Sequence, residues 1–413
     1  MDLLRFSTVG SVDDGKSTLI GRLLFDSDLI PEDQLLAISL ASRRRGSNMN
    51  LALLTDGLRA EREDGITIDV AYRYFATPRR KFIIADTPGH FGFTRNMVTG
   101  ASTADVGVVL VDVTRGLLEQ SRRHAAIASL LGVPRLIVCV NKMDLVEFAP
   151  PPFEKVRDAF DEFARGLAFT DVTYLPISAL YGDNVVTPSR RMHWYGGPSL
   201  LECLEAIPTI QPDGFEAGRM SIQLVIETAT DGPGFLGYAG RVDGGIFHRG
   251  DDVMSMATGR RLRITRITSN GRAVDAAVES MSVLLELEPS VRLGRGDLLV
   301  FGAPPISAHR LTASICWMAP RPLMPGARYT IKHLTRTVSA TCVEICERWD
   351  INTHERVRGV TALELNEIGV VDLGLDDFLF VDTYRANRAT GSFIIIDDET
   401  NDTVGAGMIE AAA

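Results

Sequence analysis

Cysteine is scarce in this chain: 413 residues hold five, at positions 139, 203, 316, 342 and 346. The number is odd and the spacing irregular, which argues against a disulfide framework and for a reducing compartment, the cytoplasm. The start, MDLLRFST, also lacks the charge-then-apolar layout of a secretory leader. Long apolar runs are missing too. Runs such as 106-VGVVLVDV-113 and 135-RLIVCV-140 fall far short of the ~20 residues that cross a bilayer, so no membrane partner is expected. Positive charge is in deficit, with 43 Lys and Arg against 53 Asp and Glu and a formal net charge of -10. That balance argues against broad attraction to nucleic acid and leaves room only for a local basic patch. Neither an internal repeat nor a low-complexity segment is visible. Cys342 and Cys346, in CVEIC, have no second pair or histidine cluster beside them and read as buried structural thiols.

What the chain has is material for cores: 45% of its residues are hydrophobic, and its length suits two to four domains at roughly 100–200 residues each. Up to about residue 207, β-rich runs alternate with helix-period ones. Examples are 4-LRFSTVG-10 then 16-KSTLIGRLLF-25, and 135-RLIVCVN-141 then 153-FEKVRDAFDEFARGL-167. Such alternation predicts an α/β domain, a mostly parallel sheet with helices on both faces. One departure is 70-VAYRYFA-76 and 81-KFIIAD-86, joined by TPRR, which reads as an antiparallel hairpin at the sheet edge. Pro and Gly cluster in 208–218, and beyond it come short β-rich segments with glycine turns, predicting two small β-barrels that meet near 301-FGAPPIS-307. The expected domains are therefore 1–210, 211–305 and 306–413.

The segment 10-GSVDDGKST-18 fits GxxxxGK(S/T) between a strand and a helix, the context a phosphate-binding loop requires. Gly10, Ser11, Val12, Asp13, Asp14 and Gly15 would turn backbone N–H groups toward a phosphate. Lys16 would reach the β- and γ-phosphates, and Ser17, followed by Thr18, would offer a hydroxyl to Mg²⁺. In 141-NKMD-144, Asp144 can accept from both N1–H and the N2 amino group of guanine, a donor pair that adenine lacks. Asn141 would hold the loop and contact the base, and the Lys142 stem would lie over its face. Ser178, Ala179 and Leu180, at the next strand end, would back the base with N–H groups. These residues select GTP as the cofactor. Asp86 is placed to bind Mg²⁺ through water and Gly89 to donate to the γ-phosphate. Thr67, in 56-DGLRAEREDGITID-69, is the candidate second hydroxyl ligand of the ion, in a loop ordered by GTP.

In this order, GSVDDGKST, EREDGITID, DTPGH, NKMD and SAL resemble the motifs of the translation-factor class of GTPases. Within it, 51-LALLTDGLRAEREDGITIDVAYRYF-75, 100-GASTAD-105, 182-GDNVV-186, 194-WYGGPSLL-201 and 385-RANRATGSFIIID-397 resemble one branch, the GTP-hydrolysing large subunits of bacterial sulfate adenylyltransferase. The likeness implies a heterodimer or higher assembly with a separate small catalytic subunit, which forms adenosine 5′-phosphosulfate and pyrophosphate from ATP and sulfate while this chain hydrolyses GTP. It also implies that His90 orients the attacking water, that Val12 and Ile66 flank it, and that Asp13 is associated with a monovalent cation.

With His90, Lys16 and Thr67 as the catalytic set, no arginine can be named from sequence as a cis-acting finger, so slow hydrolysis is expected of the chain alone. No second GxxxxGK(S/T) follows 405-GAGMIEAAA-413, so an adenylylsulfate kinase activity is not expected. Rival readings are a carrier of aminoacyl-tRNA and a weakly hydrolysing scaffold in a specialised sulfation pathway. The second is prompted by Phe91 and Gly92, which stand where the class has a polar residue and then another residue before its aromatic.

Overall fold

A computed structural model of the chain describes residues 2–30, 32, 51–54, 67, 69–208, 217–228 and 235–413. It divides into one unit of residues 1–210 with 351–354, and a second of 211–350 with 355–413. The expected switch segment 56–69, Ile66 included, lies outside the described residues except at Thr67 and Asp69.

In the first unit the strands are β1 (Leu3–Val9), β2 (Ala71–Ala76), β3 (Lys81–Asp86), β4 (Val106–Asp112), β5 (Arg135–Asn141) and β6 (Asp171–Pro176). They form one sheet in the order β2-β3-β1-β4-β5-β6. All pairings are parallel except β2 with β3, which run antiparallel from Ala71↔Asp86 to Ala76↔Lys81. Every residue of β4 is buried, as expected of a strand covered on both faces. The helices between them are α1 (Lys16–Asp26), α2 (Thr94–Ala101), α3 (Glu119–Leu130), α4 (Pro150–Ala164) and α5 (Leu200–Ala206). Leu19, Ile20 and Leu23 of α1 pack on Leu4, Phe6, Ile84 and Leu110, the i, i+1, i+4 stripe of a helix laid on a sheet.

Because β1, β3, β4 and β5 are parallel, their C-terminal ends share one edge, where ligands bind in open α/β sheets. Thr8 pairs with Asp86 and Asp112 with Asn141 there, so the phosphate loop, DTPGH and NKMD all leave the sheet together.

The second unit holds two antiparallel barrels of six strands each. One closes through Asp252–Ser255, Leu298–Phe301, Gly218–Thr228, Phe235–Gly244, Ser282–Glu288 and Arg261–Ser269; the other through Arg328–His333, Ser392–Ile396, Thr403–Ala412, Ile306–Trp317, Ile368–Val381 and Arg336–Trp349. In RLRITRITS, Leu262 and Ile264 face inward with period two, then a bulge between Ile264 and Arg266 shifts the phase and brings Ile267 in. Trp317, Leu311, Ile331 and Phe393 fill the second barrel.

The 385–388 stretch is partly structural. Asn387 is buried, and its Nδ2 donates to Asp243 O at 2.7 Å. Cys342 is buried, and burial pushes its thiol up to about 11. Among the described residues no helix is long and apolar enough to cross a membrane.

Candidate nucleotide-binding site

The turn 10–15 depends on backbone conformations that few residues adopt. Gly15 has φ 95, and a Cβ there would lie 2.4 Å from the Asn141 side-chain nitrogen; glycine is required on both counts. No side chain caps α1, so its first-turn N–H groups are left to face the loop. Lys16 is buried, with its Nζ donating to Gly10 O at 3.0 Å and Ser11 O at 2.8 Å. Burial lowers its pKa, and Asp86, Asp14 and Asp13 act to raise it.

Asp14 is buried and turned into the loop, its Oδ2 accepting the Ser11 N–H at 2.7 Å. Burial raises its pKa against the pull of Lys16. It therefore serves as internal loop structure, whereas Asp13 beside it is exposed.

DTPGH meets the loop directly. Thr8 Oγ1 donates to Asp86 Oδ1 at 3.1 Å, and Thr87 Oγ1 to Thr8 O at 2.6 Å. A Cβ on Gly89 would stand 2.4 Å from Lys16 Nζ and 2.7 Å from Gly10 O; only glycine allows that approach. Asp86 and Lys16 thus sit on one edge with the half-buried Ser17 hydroxyl. Thr67 is half-buried.

His90 is exposed, and its Nδ1 accepts the Gly92 N–H at 3.0 Å, capping the single turn Phe91–Phe93. A backbone N–H can only donate, so in the neutral ring the proton sits on Nε2. The two phenylalanines diverge. Phe93 packs near the His90 ring with centroids 5.6 Å apart, and Phe91 lies under the Arg123 guanidinium at 5.1 Å.

On the base side, Asn141 staples two motifs together. Its Nδ2 donates to Asp14 O at 2.8 Å, and its Oδ1 accepts the Ala179 N–H at 2.9 Å. The Ser178 N–H donates to Asp183 O at 3.1 Å, so two of the three amides expected to face the base are engaged inside the protein. Ser178 Oγ instead donates to Asp144 Oδ1 at 2.6 Å, aligning that carboxylate.

Four contributors went unread in the sequence. Asp112, at the end of β4, holds Lys142 Nζ at 2.8 Å. Burial alone would raise the Asp112 pKa, but bonds from Lys142 and Thr114 outweigh it and hold the carboxyl below the usual range. His124 of α3 accepts the Gly10 N–H on Nδ1 at 3.2 Å, and Ser121 Oγ lies 3.4 Å from Ser11 Oγ. Arg115 Nη1 donates to Val12 O at 3.1 Å.

Residues 1–213 match the family model described as Elongation factor Tu GTP binding domain, and residues 310–410 the one described as GTP-eEF1A C-terminal domain-like. The chain is 48% identical over 416 residues to sulfate adenylyltransferase subunit 1 of Laribacter hongkongensis, covering 100% of this chain and 86% of the relative. It is 50% identical over 412 residues to the bifunctional enzyme CysN/CysC of Mycobacterium tuberculosis, covering 98% of this chain and 67% of that one. A solved structure of similar fold is the S. cerevisiae Ski7 GTPase-like domain bound to GDP and inorganic phosphate, with a TM-score of 0.56 at 16% identity over 99% of this chain and 97% of that one.

Proposed function

The chain belongs to the family of sulfate adenylyltransferase subunit 1, within the translation-factor class of GTPases, and from that membership we propose that it hydrolyses GTP to drive a separate small subunit. That partner would form adenosine 5′-phosphosulfate and pyrophosphate from ATP and sulfate. The observation that carries the reading is the similarity to subunit 1 along the whole chain, joined to a sheet edge on which the phosphate loop, DTPGH and NKMD meet. In domain terms the proposal assigns 1–210 to GTP binding and 211–305 and 306–413 to the two barrels.

Within that reading Lys16 neutralises β- and γ-phosphate oxygens, and the loop amides of Asp13 and of Gly15 to Thr18 cradle them. Asp144, aligned by Ser178, accepts from guanine; Asn141 and Lys142 fix the loop, with Ala179 and Leu180 lining the base. The oxygen donors Ser17 and Asp86, with Thr67 from the switch segment, suit a hard divalent ion. Mg²⁺ held there would neutralise charge on the β- and γ-phosphates. Gly89 donates its N–H to the γ-phosphate, while the Nε2–H of His90 holds the attacking water by its oxygen. His90 therefore orients water in this scheme and does not deprotonate it.

The test is reconstitution. With the small subunit, ATP and sulfate present, GTP should stimulate pyrophosphate release, and the purified chain alone should turn GTP over at only about 10⁻⁴–10⁻² per second. Tight GTP-dependent capture of aminoacyl-tRNA, with pyrophosphate release indifferent to GTP, would replace this reading with that of a carrier.

A further inference from the structure

The turn that follows β4 touches both ends of the nucleotide site. At one end Asp112 grips the Lys142 ammonium at 2.8 Å. At the other, Arg115 Nη1 donates to Val12 O at 3.1 Å. The turn between them is braced from within. The N–H and Oγ1 of Thr114 donate to Asp112 Oδ1 at 2.8 and 2.7 Å, and the amides of Arg115 and Gly116 donate to Asp112 O at 3.1 and 2.9 Å. Gly116 closes it at φ 68.

The carbonyl and N–H of a trans peptide point in opposite directions. With Val12 O turned toward Arg115, the N–H of Asp13 points the other way, to the inner side of a loop whose amides cradle phosphate. That orientation is strained, because Asp13 sits at φ 68, a region L side chains rarely enter. Something must hold the peptide there. A guanidinium on the carbonyl end does so, and it also polarises the peptide and makes its N–H a stronger donor.

We propose that Arg115 is a positioning residue that locks the Val12–Asp13 peptide, keeping the Asp13 amide aimed at the phosphates of bound guanine nucleotide. Asp112 ties the same lock to Lys142 and so to the base-reading loop. The inference rests on the GTP reading of this site. It goes beyond that reading by adding an arginine outside the three nucleotide motifs.

The experiment is stopped-flow release of fluorescent GDP from the full-length chain. Arg115→Ala should release GDP about tenfold faster, the factor to which ~1.4 kcal/mol of a charge-assisted hydrogen bond converts. Since Arg115 is exposed, the thermal midpoint of the nucleotide-free variant should match wild type, and Arg115→Lys should recover part of the slow release. Glycine occupies positive φ freely, so in an Asp13→Gly background Arg115→Ala should have a clearly smaller effect, whereas an arginine acting only as surface charge would show no such coupling. A wild-type chain that binds no guanine nucleotide would overturn both the site and the lock. A wild type that binds GDP while Arg115→Ala releases it at the same rate would overturn the lock alone.

Discussion

The amide of Gly10 donates to Nδ1 of His124 at 3.2 Å, so the phosphate loop is hung from a neighbouring helix as well as from its own strand. The imidazole is fully buried, and its Nε2 meets the Gln120 side-chain nitrogen position at 2.8 Å. A side-chain amide can present its oxygen there instead, which would accept a hydrogen bond from Nε2–H and leave Nδ1 as acceptor. Asparagine places an oxygen where Nδ1 stood; glutamine places one nearer Nε2. His124→Asn should therefore keep GDP affinity within a few-fold, while His124→Gln and His124→Leu leave the Gly10 amide unmet and weaken it on the order of tenfold. Titration of fluorescent GDP against the three folded variants checks the ranking.

The same histidine sets a pH dependence. Burial pushes its pKa down to about 3, with the Lys16 and Arg123 charges adding to the effect, against ~6.5 in an unfolded chain. The unfolded state takes the proton first. The stability His124 contributes is thus complete above pH ~6.5 and is lost as pH falls toward the folded value, by at most ~1.4 kcal/mol per unit. Thermal midpoints at pH 7.5, 6.5 and 5.5 should fall more steeply for wild type than for His124→Asn; parallel slopes would mean that His124 is not buried neutral.

His90 is the residue whose loss should separate binding from hydrolysis. It is exposed beside Gly89, whose backbone abuts Lys16. His90→Ala should bind GTP but hydrolyse it in the complex on the order of a hundredfold more slowly, the cost of a mispositioned reactant. Gly92→Ala adds a Cβ 3.3 Å from the His90 Nδ1 and should give a smaller loss of the same kind, since the ring must shift by a few tenths of an ångström. Unchanged hydrolysis in His90→Ala would remove the histidine from the chemistry and favour a scaffold role.

Much of the site could be read from sequence because GSVDDGKST and NKMD carry their chemistry in local spacing at strand ends. The sheet, the edge hairpin and the two barrels followed from hydrophobic period in the same way. His124, Arg115 and Asp112 could not be read so. His124 and Arg115 each bind a backbone atom more than a hundred residues away, and a backbone partner leaves no trace in residue identity. Asp112 does pair with a side chain, but only the β4–β5 register, Asp112↔Asn141, brings it beside Lys142.

Asp144 should decide which base is bound. Its carboxylate can accept from N1–H and the N2 amino group of guanine, and Ser178 Oγ fixes it at 2.6 Å. Asp144→Asn replaces an acceptor pair with one acceptor and one donor. The variant should lose guanine nucleotide affinity on the order of a hundredfold and gain for xanthine, whose C2 oxygen accepts where guanine donates. Competition between GDP and xanthosine diphosphate reads the switch, and an unchanged preference for GDP would place the base elsewhere.

Arg219 offers a control in the second unit. The side chain is 1% exposed, and its Nε and Nη2 bond the two Asp382 oxygens at 2.9 and 3.1 Å while Nη2 also donates to Ala303 O at 2.8 Å. Thr390 Oγ1 adds a bond to Asp382 at 2.6 Å. Breaking a buried pair from one side leaves an uncompensated charge, a cost of about 3–5 kcal/mol. Arg219→Ala should therefore lower the unfolding free energy of the second unit by an amount of that order, whereas an exposed pair such as Arg292–Glu227 should be worth under ~1 kcal/mol. GDP affinity should not change, because none of these groups belongs to the nucleotide site. Equal, small losses for the two pairs would mean that Asp382 finds water once Arg219 is removed.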